Sequence, residues 1–333
     1  MNGAIETGST SQIRPLRGEA LLRGLHRILP LGRKYHPLLS AMNGRAGWMA
    51  VPFGGFHVVQ PACWAKQITH QLLNGVDVVP EFGLVSSLVR PLTSGCIIDV
   101  GANLGLYTLL LRSVSARPII SFEPQPFLFK LLETNIAFNR LPCVEARNVA
   151  CGAQSGRVPF TLGINGSISD GAAAEGAALS DDPDTEARRT QQGNTVVNVP
   201  LVGLDENLAR VTPIALLKID CEGFEFDILQ GARNLIERQR PVLFLEVHPT
   251  LLGRFGHSVE EILNFLNPHY DLEFWCFDRA PRRSKLGKSL AKFRKPAGQR
   301  YAGSADMLAA AQGERRPAQI YFIGHPRKRP GLI

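Results

Sequence analysis

No apolar run in this 333-residue chain approaches the roughly 20 residues that a membrane-spanning helix needs. The opening MNGAIETGST has no charged region followed by an apolar stretch, so neither a span nor a secretory leader is expected. There is no C-x-x-C pair. Cys63, Cys96, Cys143, Cys151, Cys221 and Cys276 lie far apart, which argues against a zinc cage or a disulfide framework and for reduced thiols in a cytoplasmic protein. No internal repeat is visible. Charged residues are only 20% of the chain and hydrophobic ones 44%, ordinary globular usage that excludes global disorder. The length exceeds one typical domain of about 100 to 200 residues. We expect one main domain over residues 81–333 and an extension with a hairpin and helices over residues 1–80.

What charge there is lies unevenly. The net charge is +8, and residues 279–300 (RAPRRSKLGKSLAKFRKPAGQR) hold nine Lys or Arg and no acid, within a basic loop expected over residues 279–316. Such a run either grips an anionic group or is a solvated loop. With only Phe293 and Tyr301 nearby, it lacks the aromatic interleaving that stacks on bases, so no nucleic acid is expected. Residues 163–194 carry six acids among many Gly, Ala and Ser, and read as a mobile insertion.

In WMAVPFGGFHVV two apolar runs flank Gly54 and Gly55, the mark of a hairpin. Ala65 to Leu73 and Phe82 to Val89 read as helices. From Cys96 onward strands and helices alternate, which predicts a doubly wound, mostly parallel α/β sheet. CIIDV (96–100), PIISF (118–122), Val144 to Val149, IALLKI (214–219) and PVLFLEV (241–247) are its expected strands, followed by Tyr270 to Phe277 and Gln319 to Ile323. Leu128, Leu131, Leu132, Asn135 and Ile136 form one helical stripe, and Ser258-x-x-Glu261 is a capping box.

Four places carry chemistry. Asp99-Val100-Gly101-Ala102-Asn103-Leu104-Gly105 runs from a buried strand into a helix, where Gly101 allows a tight turn and Gly105 a close approach, so a ligand is expected against backbone amides. Glu123 ends the next strand, about 20 residues beyond that turn, where an acid accepts from ribose hydroxyls. Lys218, Asp220 and Glu222 alternate onto one side at the end of strand four, as a functional group or as an ion-pair network. His248 ends strand five; an imidazole with a pKa near 6.5 suits general-base work, and a supporting hydrogen bond is the alternative.

These segments, DVGANLGLYT, the following FEP, the two asparagines of LLETNIAFNR, LDEN, KIDCEGFE and EVHP, stand in an order that resembles the FkbM family of methyltransferases over about residues 81–248. The resemblance implies a seven-stranded Rossmann-like class I methyltransferase that binds S-adenosylmethionine. It implies that Asp99, Gly101, Asn103 and Gly105 line the methionine side, with Tyr107 and Thr108 starting the helix behind them and Thr108 counted among the cofactor-binding residues. Glu123 then takes the ribose, Asn148 and Val149 the adenine, while Asp220 and Glu222 face the methyl group. The acceptor implied is a hydroxyl on a sugar, glycolipid or natural-product metabolite, with an anionic group conceivable from the basic run. Proton removal would fall to His248 or Asp220. No metal is required, although Asp220, Glu222 and Glu246 offer oxygens suited to Mg²⁺. Two rivals share parts of the pattern: an NAD-dependent oxidoreductase, and a nucleic-acid binding module built on residues 279–300. Oligomeric state is not legible.

Overall fold

The two runs that read as buried strands with the most apolar character, CIIDV and IALLKI, lie side by side at the centre of an eight-stranded sheet. The computed structural model describes residues 13–28, 36–44, 47–169, 183–193, 195–211, 213–277, 298–312 and 319–327. From the N-terminus, β1 (Ile13–Pro15), α1 (Glu19–Ile28) and α2 (His36–Asn43) lead to a hairpin of β2 (Trp48–Phe53) and β3 (Phe56–Pro61) that turns at Gly54 and Gly55. Next come α3 (Ala65–Asn74), α4 (Phe82–Val89), β4 (Cys96–Val100), α5 (Leu106–Val114), β5 (Ile119–Phe122), α6 (Pro126–Phe138) and β6 (Val144–Arg147). A smaller unit follows: β7 (Ala150–Cys151), β8 (Gly156–Thr161), β9 (Ser167–Ile168), α7 (Pro183–Gln192) and β10 (Val196–Val202). The chain then returns through α8 (Leu204–Asn207), β11 (Ile214–Ile219), α9 (Glu225–Gly231), α10 (Arg233–Gln239), β12 (Val242–Val247), α11 (Pro249–Leu252) and α12 (Val259–Leu266). It closes with β13 (Tyr270–Phe277), β14 (Gly298–Tyr301), α13 (Ser304–Gln312) and β15 (Gln319–Pro326).

The main sheet runs β14-β13-β15-β12-β11-β4-β5-β6, parallel from β12 to β6, with β15 antiparallel beside β12. The chain leaves β4 toward β5 and β6 and re-enters on the other flank at β11, so β4 and β11 bound a topological switch point where ligands of α/β sheets sit. The doubly wound sheet is the one expected, with two differences at its edges. β14 adds an eighth strand outside the predicted seven. The third strand stops at Arg147, and residues 150–151 pair instead with β10 in a separate sheet, β7-β10-β8-β9.

Alternation along the central strands builds a core on each face. Ile98, Val100, Leu217, Ile219 and Leu245 pack on the side of α9 and α10, while Ile97, Leu216 and Phe244 pack with α5 and α6. The second core also holds Phe53, Val58 and Trp64, so the hairpin of the N-terminal extension shares its interior with the sheet.

The insertion expected to be mobile is, in its described parts, structured. Trp64 Nε1 donates to the Ala187 carbonyl at 3.2 Å and Gly47 N–H to Asp184 at 3.2 Å, which docks α7 on the extension. The helix expected after strand four is broken at Ala232 into α9 and α10. The capping box forms as read, with Ser258 Oγ accepting from Glu261 N–H. Most of the basic run, residues 278–297, lies outside the described residues.

Asn135 and Asn139, one helical turn apart on α6, treat β3 as a neighbouring strand. Asn135 accepts from Val59 N–H at 2.6 Å and donates to the Val59 and Leu104 carbonyls, while Asn139 exchanges two bonds with His57. Asn135 is buried, and each buried group left unpaired costs roughly 1–3 kcal/mol, so Asn135→Ala is expected to lower stability by about 3 kcal/mol. The solvent-exposed Asn139 bonds are worth about 1 kcal/mol at most. Urea unfolding of the two alanine variants measures the contrast.

Candidate functional site

Strands β4 and β11 place opposite charges in register, Asp99 beside Lys218, and both are sealed from solvent. Lys218 Nζ stands 3.0 Å from Asp99 Oδ1 and 3.8 Å from Asp220 Oδ2. It also donates to the Gly101 carbonyl at 3.2 Å and lies 4.7 Å from the Tyr107 ring centroid. Burial opposes its charge, yet Asp99 and Asp220 hold its pKa above the ordinary lysine range. Thr108 Oγ1 donates to Asp99 Oδ2 at 2.9 Å and lies 2.9 Å from Ser121 Oγ. Asp99 and Thr108, expected to line the cofactor side, therefore sit beneath the turn and bond to other side chains.

Above them the chain turns from β4 into α5. Gly101 has φ of +79°, and a Cβ there would stand 1.9 Å from the Asp220 carbonyl oxygen, so only glycine lets the two strand ends meet. Gly105, with φ of +96°, packs on Leu132 of α6. The amides of this turn are all engaged. Gly101 and Ala102 donate to the Phe122 carbonyl, Asn103 to Glu123 Oε2 at 2.8 Å, Leu104 to Asn103 Oδ1 at 2.7 Å, and Gly105 to the Ala102 carbonyl. The expectation of a ligand against free amides is corrected: the left-handed Asn103, φ +54°, sends its own amide to Glu123.

Glu123 is buried at the end of β5, with Oε1 accepting from Gln125 N–H and Oε2 from Asn103 N–H, both at 2.8 Å. Burial pushes its pKa up to about 7, against those two bonds and the Lys218 charge, with Asp99 adding to the rise. Asn148 donates to the Glu123 and Pro124 carbonyls, so it braces this strand end and is not among the residues that line the hollow beside it.

That hollow has two halves. The apolar half, about 430 Å³, is bounded by Val149, Phe160, Ile168, Cys221, Phe224 and Ile228. The polar half, about 560 Å³, is bounded by Asn103, Asn165, Glu222, Glu246 and Gln319. Gly101, Glu123, Gly166 and Asp220 border both, so the two halves adjoin along these residues. The roof comes from the insertion. Asn103 Nδ2 donates to the Ile164 carbonyl at 2.6 Å, and the buried Gln125 accepts from Gly163 N–H and donates to Thr190, joining both ends of the insertion to the peptide that supports Glu123.

His248 stands beside the polar half, with Nδ1 2.7 Å from Glu225 Oε1 and Nε2 3.6 Å from both Glu222 and Glu246. Burial works against its charge, but the Glu225 bond, Asp220 and Glu246 lift its pKa to about 10. The expected value near 6.5 is replaced, and in this setting the imidazole carries a proton at neutral pH. The structure thus brings together Gly101, Asn103, Glu123, Val149, Asp220 and Glu222 around the two adjoining halves, and leaves Asp99, Gly105, Thr108 and Asn148 in supporting positions. Sequence reasoning missed Gln125, Phe160, Phe224 and the Asn165–Ile168 roof. Gln125, directly after FEP, carried the one local signal.

A family model for the methyltransferase FkbM domain matches residues 99–274. "Methyltransferase 1" of Beauveria bassiana (strain ARSEF 2860) is 28% identical over 142 residues, covering 40% of this chain and 57% of that protein. "Methyltransferase sdnD" of Sordaria araneosa is 30% identical over 154 residues, covering 40% of this chain and 59% of that protein. The chain thus spans less than two thirds of the length of these curated relatives. Among solved structures, the methyltransferase FkbM from Methylobacillus flagellatus KT is 14% identical with a TM-score of 0.36, covering 90% of this chain and 60% of that one.

Removing one member of a buried ion pair costs about 3–5 kcal/mol because the other charge is left alone. Lys218→Met is expected to lose that much in urea unfolding, and adding Asp99→Asn, which neutralises the orphaned charge, to restore more than half of it.

Proposed function

The chain belongs to the FkbM methyltransferase family, and from that premise we propose that it moves a methyl group from S-adenosylmethionine to a hydroxyl of a sugar, glycolipid or natural-product metabolite. The observation that carries this reading is Glu123, a buried carboxylate placed where the apolar and polar halves of the hollow meet. A carboxylate has about four acceptor sites. Two are taken by backbone N–H groups, which leaves capacity for the two hydroxyls of a ribose.

The rest of the space fits the same ligand. Phe160, Phe224, Val149 and Ile228 offer flat apolar walls for an adenine ring. Asp220, Glu222 and Glu246 give the polar half a negative character that complements a sulfonium and an ammonium. Gly101 lets the ends of β4 and β11 meet at the border of both halves, since a Cβ there would collide with the Asp220 carbonyl.

When bound, S-adenosylmethionine supplies an electrophilic methyl on a positively charged sulfur. The chain's own task is alignment of the acceptor oxygen at about 3 Å and exclusion of water. The Asn165–Ile168 roof covers the space from above. His248, already protonated, orients and donates. Asp220 and Glu222 are then the carboxylates beside the acceptor that take its proton as the oxygen–carbon bond forms and the carbon–sulfur bond breaks. The described wall of the polar half is rich in carboxylates, which favours a neutral polyol over the anion suggested by the basic run. No helix among the described residues is long and apolar enough to cross a membrane.

Calorimetry with S-adenosylhomocysteine and NAD tests the cofactor, and a screen of hydroxylated sugars and lipids with labelled methyl donor tests the acceptor. Binding of NAD alone would remove the reading. Only ionised Glu123 accepts from both ribose hydroxyls, so affinity for S-adenosylhomocysteine is expected to strengthen as pH rises from about 6 to 8 through its pKa of about 7. Glu123→Gln is expected to weaken binding by roughly 1.5–3 kcal/mol at pH 8, the scale of a hydrogen bond to a charged group, and to flatten the pH dependence.

A further inference from the structure

Three metal-ligand side chains meet at the polar end of the hollow. Asp220 follows β11, Glu246 lies near the end of β12 and His248 just beyond it, and each offers one ligand atom, all within 4.8 Å of one another. One ion imposes such spacing on its ligands, because two donors at about 2.0–2.2 Å on opposite sides of an ion stand about 4 Å apart. The two strands are adjacent and parallel, so their ends deliver the three groups to one place.

Each ligand is held from behind. Glu225, fully buried, bonds His248 Nδ1 at 2.7 Å and also accepts from Gly223 N–H at 2.9 Å, which fixes the ring and turns Nε2 toward Glu246. Support of this kind, a carboxylate on the far nitrogen of a histidine, orients metal-binding imidazoles. Glu246 accepts from the Tyr321 hydroxyl at 2.9 Å and from Gln319 Nε2 at 3.3 Å.

A separate observation comes from the junction just after the N-terminal extension. Glu81, at the start of α4, is 4% exposed; its Oε1 accepts from the Tyr107 hydroxyl at 2.7 Å and its Oε2 has no hydrogen-bond partner. Its charge acts on Asp220 and Glu246, and it approaches the same Tyr321 hydroxyl that bonds Glu246. Glu81, Asp220, Glu222 and Glu246 thus gather in one corner, the first and last buried and the other two half-buried, while Lys218 beside them is shared between Asp99 at 3.0 Å and Asp220 at 3.8 Å. Carboxyl groups gathered at that density favour a cation among them.

We propose that Asp220, Glu246 and His248 bind one divalent cation, which takes the place of the proton on His248 Nε2, and that Mn²⁺, which accepts both oxygen and imidazole donors, suits the set. Its open positions take two adjacent oxygens of the acceptor, a vicinal diol or a hydroxyl beside a carbonyl. That last role rests on the methyl-transfer reading; ion binding itself does not. Glu222 then remains the carboxylate next to the acceptor.

The test uses the full, tag-free chain, stripped with chelator and titrated with Mn²⁺ while the spectrum of free Mn²⁺ is followed by electron paramagnetic resonance. One ion per chain is expected, with His248→Gln and Glu246→Gln each weakening uptake by about 10- to 100-fold while unfolding as cooperatively as the parent. No uptake by the parent at millimolar Mn²⁺, or uptake unchanged in both variants, overturns the site. S-adenosylhomocysteine is titrated into the same samples. Its binding without Mn²⁺ uptake overturns the ion site alone, whereas Mn²⁺ uptake without its binding upholds the ion site and removes the methyl-donor reading.

Discussion

One buried ammonium organises this molecule. Lys218 pairs with Asp99 across the two central strands and also donates to the Gly101 carbonyl, so a single side chain fixes both the register of β4 against β11 and the path of the turn above them. The turn in turn closes on β5: the Gly101 and Ala102 amides donate to Phe122, and that of Asn103 to Glu123. Charge buried without a partner is intolerable, which makes this corner rigid. Rigidity there is what a carboxylate needs if it is to meet a ligand at a fixed place.

The segments outside the central sheet contribute to the site as much as they decorate it. The hairpin is tied to α6 by two asparagines, and α4 behind it brings Glu81 to the acidic corner. The insertion supplies the roof, and its helix α7 docks back on the extension through Trp64 and Gly47. Gln125 is the connector. Its amide supports Glu123 while its side chain holds Gly163 and Thr190, so any shift in Glu123 is felt at both ends of the roof.

The strands of the central sheet and its doubly wound class were legible because they rest on local pattern. CIIDV and IALLKI are too apolar to be anything but buried, a glycine turn must follow a strand that ends in a crevice, and Glu123 before a proline must leave the sheet there. The roles of individual residues were less legible where they depend on partners far away in the chain. Nothing near Asp99 says that Lys218, more than a hundred positions later, will consume its charge. Thr108 reads as a helix start and becomes a donor to that same aspartate. Asn148 reads as a ligand contact but spends its amide on the backbone. The insertion looked mobile because its composition is poor in apolar residues, yet Ala187 and Ile168 are buried by docking on surfaces that composition does not report. Glu81 lay outside every motif, since its meaning arises only when α4 is packed against α5 and Tyr107 and Tyr321 reach its carboxylate.

The account stands or falls on where the adenosyl group sits. A crystal structure of the chain with S-adenosylhomocysteine measures this directly. The account predicts the adenine between Phe160 and Phe224 and both ribose hydroxyls within hydrogen-bond distance of the Glu123 carboxylate. A ligand bound elsewhere, or one whose ribose points away from Glu123, would contradict it.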